Sequence, residues 1–469
     1  MGLKAAIQAL KKAEKLKEKV QNTRDLLNDN EAWICQQQLQ VISLLFFFCL
    51  FFNLILLFFS MAFLLRIYQQ VLILDLEYAL DRKVEQELWN HGFKNYIGTL
   101  QNLNPKRTES QAMLSWCLEA ASGFYLTLLQ EICTAFDLDL PFRRKESVYG
   151  NGKTYRTVDH LSQPHKNSCY YICQHCLVHL GDIARYRNQN RQAEVFYRHA
   201  VQLAPNSGQP YNQLALLEAS RGDRLSTVFH YVRSIAVRHF FPAAATNLSR
   251  TLNKSAEEQL NVEGRNKLSI SEYVSVFLKL HGLLHNSADL QEAEKYVKVL
   301  TTTLTALVAT ESLTSWKLVQ MLVYSAWLAL HHDCGSCSCD HFPTKLHTFS
   351  DEQLSTDEKR VKHLVMDLMA GSLSAFLLPV YTLKEGDALL ESFVLQLKLT
   401  LDWIKLDPHV LLDSAFTSRL QIWPSLCKLL NGLQQALTDF SADKYAYLPL
   451  PEDRDLQGFI PLEKSFTDL

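Results

Sequence analysis

Apolar residues recur at three- and four-residue steps along most of this chain, the spacing that puts them on one face of an α-helix. Residues 3–27 have this spacing, with lysines at the outward positions. The segment "LILDLEYALDRKVEQELWNHGFKNYIGTLQNL" (72–103) alternates apolar and charged positions in the same way and predicts a further helix, as does "ESQAMLSWCLEAASGFYLTLLQEICTAF" (109–136). Between them and the next helical stretch, residues 143–168 are polar and contain glycines, a proline and basic residues, which predicts a long mobile loop. Helical patterns continue through 265–440, for example "YVSVFLKLHGLLH" and "WKLVQMLVYSAWLALHH". The end, 441–469, carries prolines and reads as an extended strap rather than a helix. No run has the period-two alternation of a half-buried strand, so the predicted fold class is all-α.

One stretch departs from this pattern. From Val41 to Leu65 there is no charge, and the clearly polar residues are Ser43, Asn53 and Ser60. As a helix it would be about 37 Å long, enough to cross a bilayer core of about 30 Å with tilt. It starts too late and runs too long for a signal peptide. Acidic and basic residues flank it on both sides, so orientation is not set.

The stretch "LVHLGDIARYRNQNRQAEVFYRHAVQLAP" places Leu177, Leu180, Gly181, Ala193, Tyr197, Ala200 and Pro205 at tetratricopeptide spacing. Adding 34 lands on Tyr211, Leu214, Ala215, Thr227, Tyr231 and Ser234. The small residues let paired helices approach, the large ones fill the groove between them, and proline closes the second helix. Two repeats in phase over about 174–241 predict two helical hairpins.

Length allows two or three domains. The formal charge of −2 gives the whole molecule no general attraction for nucleic acid or anionic lipid, and no direct nucleic-acid site is evident. Locally the balance differs, because residues 141–200 carry about ten Lys/Arg against four Asp/Glu. The eleven cysteines are odd in number and clustered, which suits reduced thiols inside a cell rather than a secreted disulfide framework.

At "LDLEYALDRKVEQELWNHGFKNYI", "YICQHCLVHLGDIARYRNQ" and "GQPYNQLALLEASRGD" the chain resembles the nonsense-mediated mRNA decay adaptors of the Smg-five/six/seven, or Est-one-like, family. "RSIAVRHFFPAAATNL" and "PLPEDRDLQGF" extend the match, which leaves out little besides 41–65 and several loops. The resemblance implies a 14-3-3-like domain containing the tetratricopeptide helices (1–40 and 66–250), then a C-terminal domain of helical hairpins (265–440). It implies binding of the phosphorylated Ser/Thr–Gln tails of the pathway's RNA helicase, a Smg-five-type partner, and a cytoplasmic location that includes decay foci, with shuttling to the nucleus. It also implies a long Pro/Gln-rich tail that recruits the mRNA-degradation machinery, and this chain ends before one. If the 469 residues are the whole product, the expectation is one that reads phosphate without delivering decay enzymes, a weak adaptor or a competitor of the full-length form.

A phosphoserine reader needs fixed cations converging on a dianion, with Arg favoured for its planar fork. "GDIARYR" has the Gly-Asp-x-x-Arg-Tyr order of true 14-3-3 proteins, which carries phosphate contact onto Arg185 and Tyr186. The family's second phosphate cation matches the lysine of "WNHGFK", Lys94, and Asn212 in "PYNQ" is the candidate for holding the peptide backbone. Read without the family, an isolated Arg or Lys on a helix is a solvated face.

Two cysteine clusters suggest metal. Cys169, Cys173, His175, Cys176 and His179 lie along one helix, which by itself cannot surround a tetrahedral ion, so the reading is core packing. Cys334, Cys337, Cys339 and His341 could wrap one Zn²⁺, although the spacing is tighter than in ordinary zinc modules and the family has no such cluster there. No nucleophile elbow, phosphate-binding glycine loop or carboxylate pair stands out, and the nuclease domain of the Smg-six member has no counterpart here; the expectation is a binding protein without cofactor, not an enzyme.

The resemblance also bears on 41–65. Removing it joins "CQQQLQ" to "RIYQQVLILDLEYALD" in continuous helical register. Phe, Leu, Ile, Val and Met share T at the second codon position, so a T-rich intron read in frame gives such a peptide. A retained intron or gene-model error, a membrane-tethered isoform and a tolerated hydrophobic insertion are the three readings, the first of them preferred.

Overall fold

A computed structural model describes Lys11 and residues 65–102, 108–140, 164–262, 264–265, 267–310, 312–330, 355–382, 394–436 and 451–465. The helix expected over 3–27 (Lys11 apart), the run 41–64, most of the loop 143–168 and the Cys334–His341 cluster lie outside the described residues. Among the described residues there is no strand, only one isolated bridge between Ser207 and His239. The protein is all-α.

The chain divides into two compact units, 1–204 and 205–469, each with its own apolar core. In the first, the amphipathic pattern of 72–103 is not one helix. Helix α1 covers 65–74. Asp75 then leaves helical geometry and its carboxylate caps α2 (Leu76–Asp81) by accepting from Tyr78 N–H. Lys83 takes a left-handed φ of 54° before α3 (Val84–Trp89). The apolar periodicity survives both breaks because each restarts the helix with its buried face toward the same core. A π-helical turn, Asn90–Lys94, follows directly and runs into α4 (Asn95–Asn102). Next come α5 (Thr108–Ala135), α6 (Lys166–Tyr186) and α7 (Asn190–Leu203).

The hairpin α6–α7 is the first repeat. Gly181 is required there, since a Cβ would stand 2.3 Å from the ring of Tyr197. In the second unit the hairpin α8 (Gly208–Arg221) and α9 (Arg224–Ile235) repeats the arrangement. Gly222, at φ 80°, ends α8 in the left-handed conformation that glycine adopts without a steric penalty, and Asp223 caps α9 by accepting from Ser226 N–H.

The remaining helices are α10 (Pro242–Ala256), α11 (Ile270–His285), α12 (Leu290–Ala309), α13 (Ser315–Leu330), α14 (Thr356–Thr382), α15 (Val394–Leu406), α16 (Ser414–Thr417) and α17 (Ile422–Ala436). Helices α10 and α11 pack as an antiparallel pair, α12 packs along α14, and one apolar core runs from Ala215 to Leu462. The second repeat thus shares its core with the helices after 250, and the compact units part at 204/205 where the sequence division falls between 250 and 265.

The C-terminal strap is not extended throughout. Pro451–Asp455 forms one short helix (α18) and Ile460–Ser465 a 3-10 turn. Proline is pre-set for a first helical turn, where its missing N–H costs nothing, so the residues that argue against a long helix here start two short ones. The strap buries Leu456, Phe459 and Leu462, and Arg233 holds it through bonds to the Asp455 and Gln457 carbonyls at 3.2 and 2.7 Å.

Candidate functional site

Helix α6 carries the sequence's main candidates at its C-terminal end. Asp182 is buried, and two groups meet its Oδ1. Tyr197, from α7, donates its hydroxyl at 2.7 Å, and the Arg185 guanidinium lies 3.5 Å away. Burial pushes the Asp182 carboxyl above its usual range, and Arg185, His179 and Tyr197 each pull against that. The Arg185 side chain is 29% exposed, so it is tied to Asp182 through one terminal nitrogen, Nη2, while part of it stays open to solvent. Burial disfavours its charge, yet Asp182 and Tyr197 outweigh burial and hold it above its ordinary value. Its Nε is buried with no acceptor among the described residues. The Tyr186 ring lies 5.0 Å from the guanidinium carbon, a cation–π contact that limits the arginine's rotamers. Arg187, two residues on, is paired with Glu119 at 3.0 Å.

Lys94 ends the π turn. It is exposed and has no ion-pair partner among the described residues. A π turn adds a residue to the helical repeat and so redirects the side chains that follow; such turns are frequent at functional sites. Two contacts hold this one. A Cβ on Gly92 would stand 2.5 Å from Leu65, so glycine lets the turn lie against α1. Phe93 is buried against Phe124 and Tyr125 of α5, with ring centroids at 5.5 and 5.7 Å.

Asn212 lies in the second unit. Its side chain is buried, and its Oδ1 accepts from Asn247 Nδ2 of α10 at 3.3 Å.

The first unit also holds a group that sequence reasoning did not assemble. Glu85 of α3 reaches into the core and meets His179 Nε2 at 2.5 Å and His175 Nδ1 at 3.5 Å. All three are buried. Burial raises the Glu85 carboxyl, and the two histidines more than offset it, so its pKa ends below the usual value; burial lowers that of His175. Trp89, one turn after Glu85, stacks on His179 with centroids 4.2 Å apart and an interplanar angle of 16°. The donors of this trio lie within 4.8 Å of one another. Around a tetrahedral zinc ion with bonds of about 2.0–2.1 Å, donor atoms stand roughly 3.4 Å apart. The 2.5 Å approach of Glu85 to His179 is instead that of a proton shared in a hydrogen bond. Cys169, Cys173 and Cys176 are buried free thiols; burial raises Cys169 and Cys176, and a hydrogen bond with Cys133, then burial, raises Cys173, which leaves them poor nucleophiles.

Comparison with known proteins places the chain in a family. Residues 83–191 match the family "Telomerase activating protein Est1", and 193–466 match "Est1 DNA/RNA binding domain". The chain is 44% identical over 411 residues to nonsense-mediated mRNA decay factor SMG7 of Danio rerio, a match covering 86% of this chain and 34% of that factor. It is 28% identical over 245 residues to nonsense-mediated mRNA decay factor SMG5 of the same fish, covering 45% of this chain and 21% of that one. The chain thus spans about a third or less of the curated relatives it matches. Among solved structures, a crystal structure of Est1 and Cdc13 aligns with a TM-score of 0.55 at 12% identity, covering 88% of this chain and 85% of that chain, a likeness of fold. With the two Est1 matches together accounting for most of its length, the chain belongs to the Est1-like family that includes SMG5 and SMG7.

Proposed function

We propose that this chain is an adaptor of nonsense-mediated mRNA decay that binds phosphoserine or phosphothreonine peptides, and that its target is the phosphorylated RNA helicase of the pathway. The observation that carries this reading is Arg185, a guanidinium tied to a buried carboxylate through Nη2 and flanked by Tyr186 while part of its side chain stays exposed. An arginine already held by one nitrogen has lost most of the rotamer freedom that binding would otherwise remove, so more of the charge-assisted bond to phosphate appears as affinity. Lys94, exposed on a turn fixed by Phe93 and Gly92, supplies the second cation, and Tyr186 a hydroxyl donor. In the family, adaptors of this kind link the helicase to mRNA degradation together with a Smg-five-type partner, and we assign this chain the same place, in the cytoplasm.

The test is a fluorescence titration of the full chain with a Ser–Gln peptide in phosphorylated and plain forms. The reading expects affinity at least tenfold higher for the phosphorylated peptide, about 1.4 kcal/mol or more. Equal affinity for both would overturn it and favour a phosphate-independent tetratricopeptide scaffold.

A further inference from the structure

The two proposed phosphate cations come from separate elements, and one buried group joins those elements. Helix α3 and the π turn form one continuous run ending at Lys94, and α6 ends with Arg185 one residue before its terminus. Glu85 and Trp89, one helical turn apart on α3, both engage His179 of α6, the first by hydrogen bond and the second by ring stacking. Phe93, one further turn along, closes the same face against Tyr125, whose ring lies 4.9 Å from His179. On α6 the sequence His179, Asp182, Arg185 steps by three residues along one side of a rigid helix, and the charge of Asp182 is felt by both neighbours. Glu85, His179, Asp182 and Arg185 therefore form a row of acidic and basic side chains in alternation from the core of the unit to its surface.

We propose that Glu85 is a positioning residue of the phosphate site: through His179 it fixes the segment bearing Lys94 against the helix bearing Arg185. The inference rests on the phosphopeptide reading. Hydrophobic packing alone could hold α3 near α6, but apolar contacts are non-directional, whereas one short hydrogen bond between buried groups allows a single register. Arg185 is already anchored by Asp182, so loss of the Glu85 tie should be felt at Lys94.

A double-mutant cycle tests this on the full chain. Parent, Glu85→Gln, Lys94→Ala and the double variant are titrated with the phosphorylated and plain Ser–Gln peptides. Glu85→Gln keeps the shape and removes the charge. The proposal expects it to weaken phosphopeptide binding about fivefold in the parent and less than twofold when Lys94 is already alanine, with the plain peptide unaffected. An equal loss in both backgrounds, or no loss, would overturn it and leave Glu85 a residue of the core. No preference for phosphate in the parent would overturn the phosphopeptide reading as well, which separates the two failures. If Glu85→Gln melts without a cooperative transition, Trp89→Phe loosens the same tie from its apolar side, and the same cycle with Lys94→Ala decides.

Discussion

Arg233 is fully buried in the second unit and bonds a tyrosine hydroxyl and two backbone carbonyls, and this makes a quantitative prediction possible. One nitrogen, Nη2, donates to Tyr211 Oη at 2.8 Å and to the carbonyls of Asp455 and Gln457 in the C-terminal strap. The guanidinium also lies over the rings of Tyr211 and Phe459, at 4.7 and 5.3 Å. Burial pushes its pKa below the ordinary arginine value, opposed by Tyr211 and Asp455. Each hydrogen bond from a charged donor contributes about 1.5–3 kcal/mol, while desolvating the guanidinium costs several. Arg233→Met removes both terms and strands two strap carbonyls, so we expect a net loss of about 3 kcal/mol, a fall of roughly 6–12 °C in the melting of a unit this size. Hydrogen exchange is the sharper assay. The amide of Ile460 donates to Ala236 O at 3.0 Å, and its exchange should quicken about a hundredfold in the variant. Arg233→Lys should not restore it, because an ammonium lacks the planar fork that spans ring faces and carbonyls together. A methionine variant as stable and as protected as the parent would refute the reasoning. It would mean that the cost of burying the charge cancels its bonds.

Further predictions come from the same kind of contact. Gly181→Ala drives a methyl into Tyr197 and displaces the hydroxyl that holds Asp182, so thermal unfolding should show a loss of about 2 kcal/mol with weakened phosphopeptide binding. Gly208→Ala places a Cβ 2.2 Å from the backbone carbonyl of Ser234, which cannot rotate away; we expect about 3 kcal/mol of destabilisation by urea unfolding. Burial lowers the pKa of His281, between Phe277 O and Ser325 Oγ, to about 4 from an unfolded value of 6.5. The unfolded state binds the proton first, so stability is fully present above pH 6.5 and falls as pH drops toward 4, by up to about 3 kcal/mol. His281→Gln should flatten that part of the stability profile measured by urea unfolding.

The repeat hairpins were legible in the sequence because their packing depends on residue size at fixed spacing: Gly181 and Ala215 are small where a helix must pass a tyrosine or its equivalent. Helix breaks were less so. Asp75 and Lys83 interrupt an amphipathic pattern that still satisfies one core, and periodicity does not register a break that preserves the buried face. The prolines of the strap read as extended chain because proline ends long helices, yet it also begins short ones. At the site, "GDIARYR" marked Arg185 and Tyr186, since arginine and tyrosine in that order are a local signal. Asp182 sits in the same string, but its role depends on Tyr197 from the next helix. Glu85 gave no signal at all, because its partners His175 and His179 lie about ninety residues away, and an acidic residue on an amphipathic helix reads as solvated.

The central claim is that Arg185 and Lys94 act together on one phosphate. The most direct measurement is the affinity of Arg185→Glu and Lys94→Glu, each as the full chain with its melting recorded, for the phosphorylated Ser–Gln peptide. The account predicts that each reversal costs tenfold or more and removes the preference for the phosphorylated form, with folding intact. Phosphopeptide binding that survives either reversal in a folded protein would contradict it.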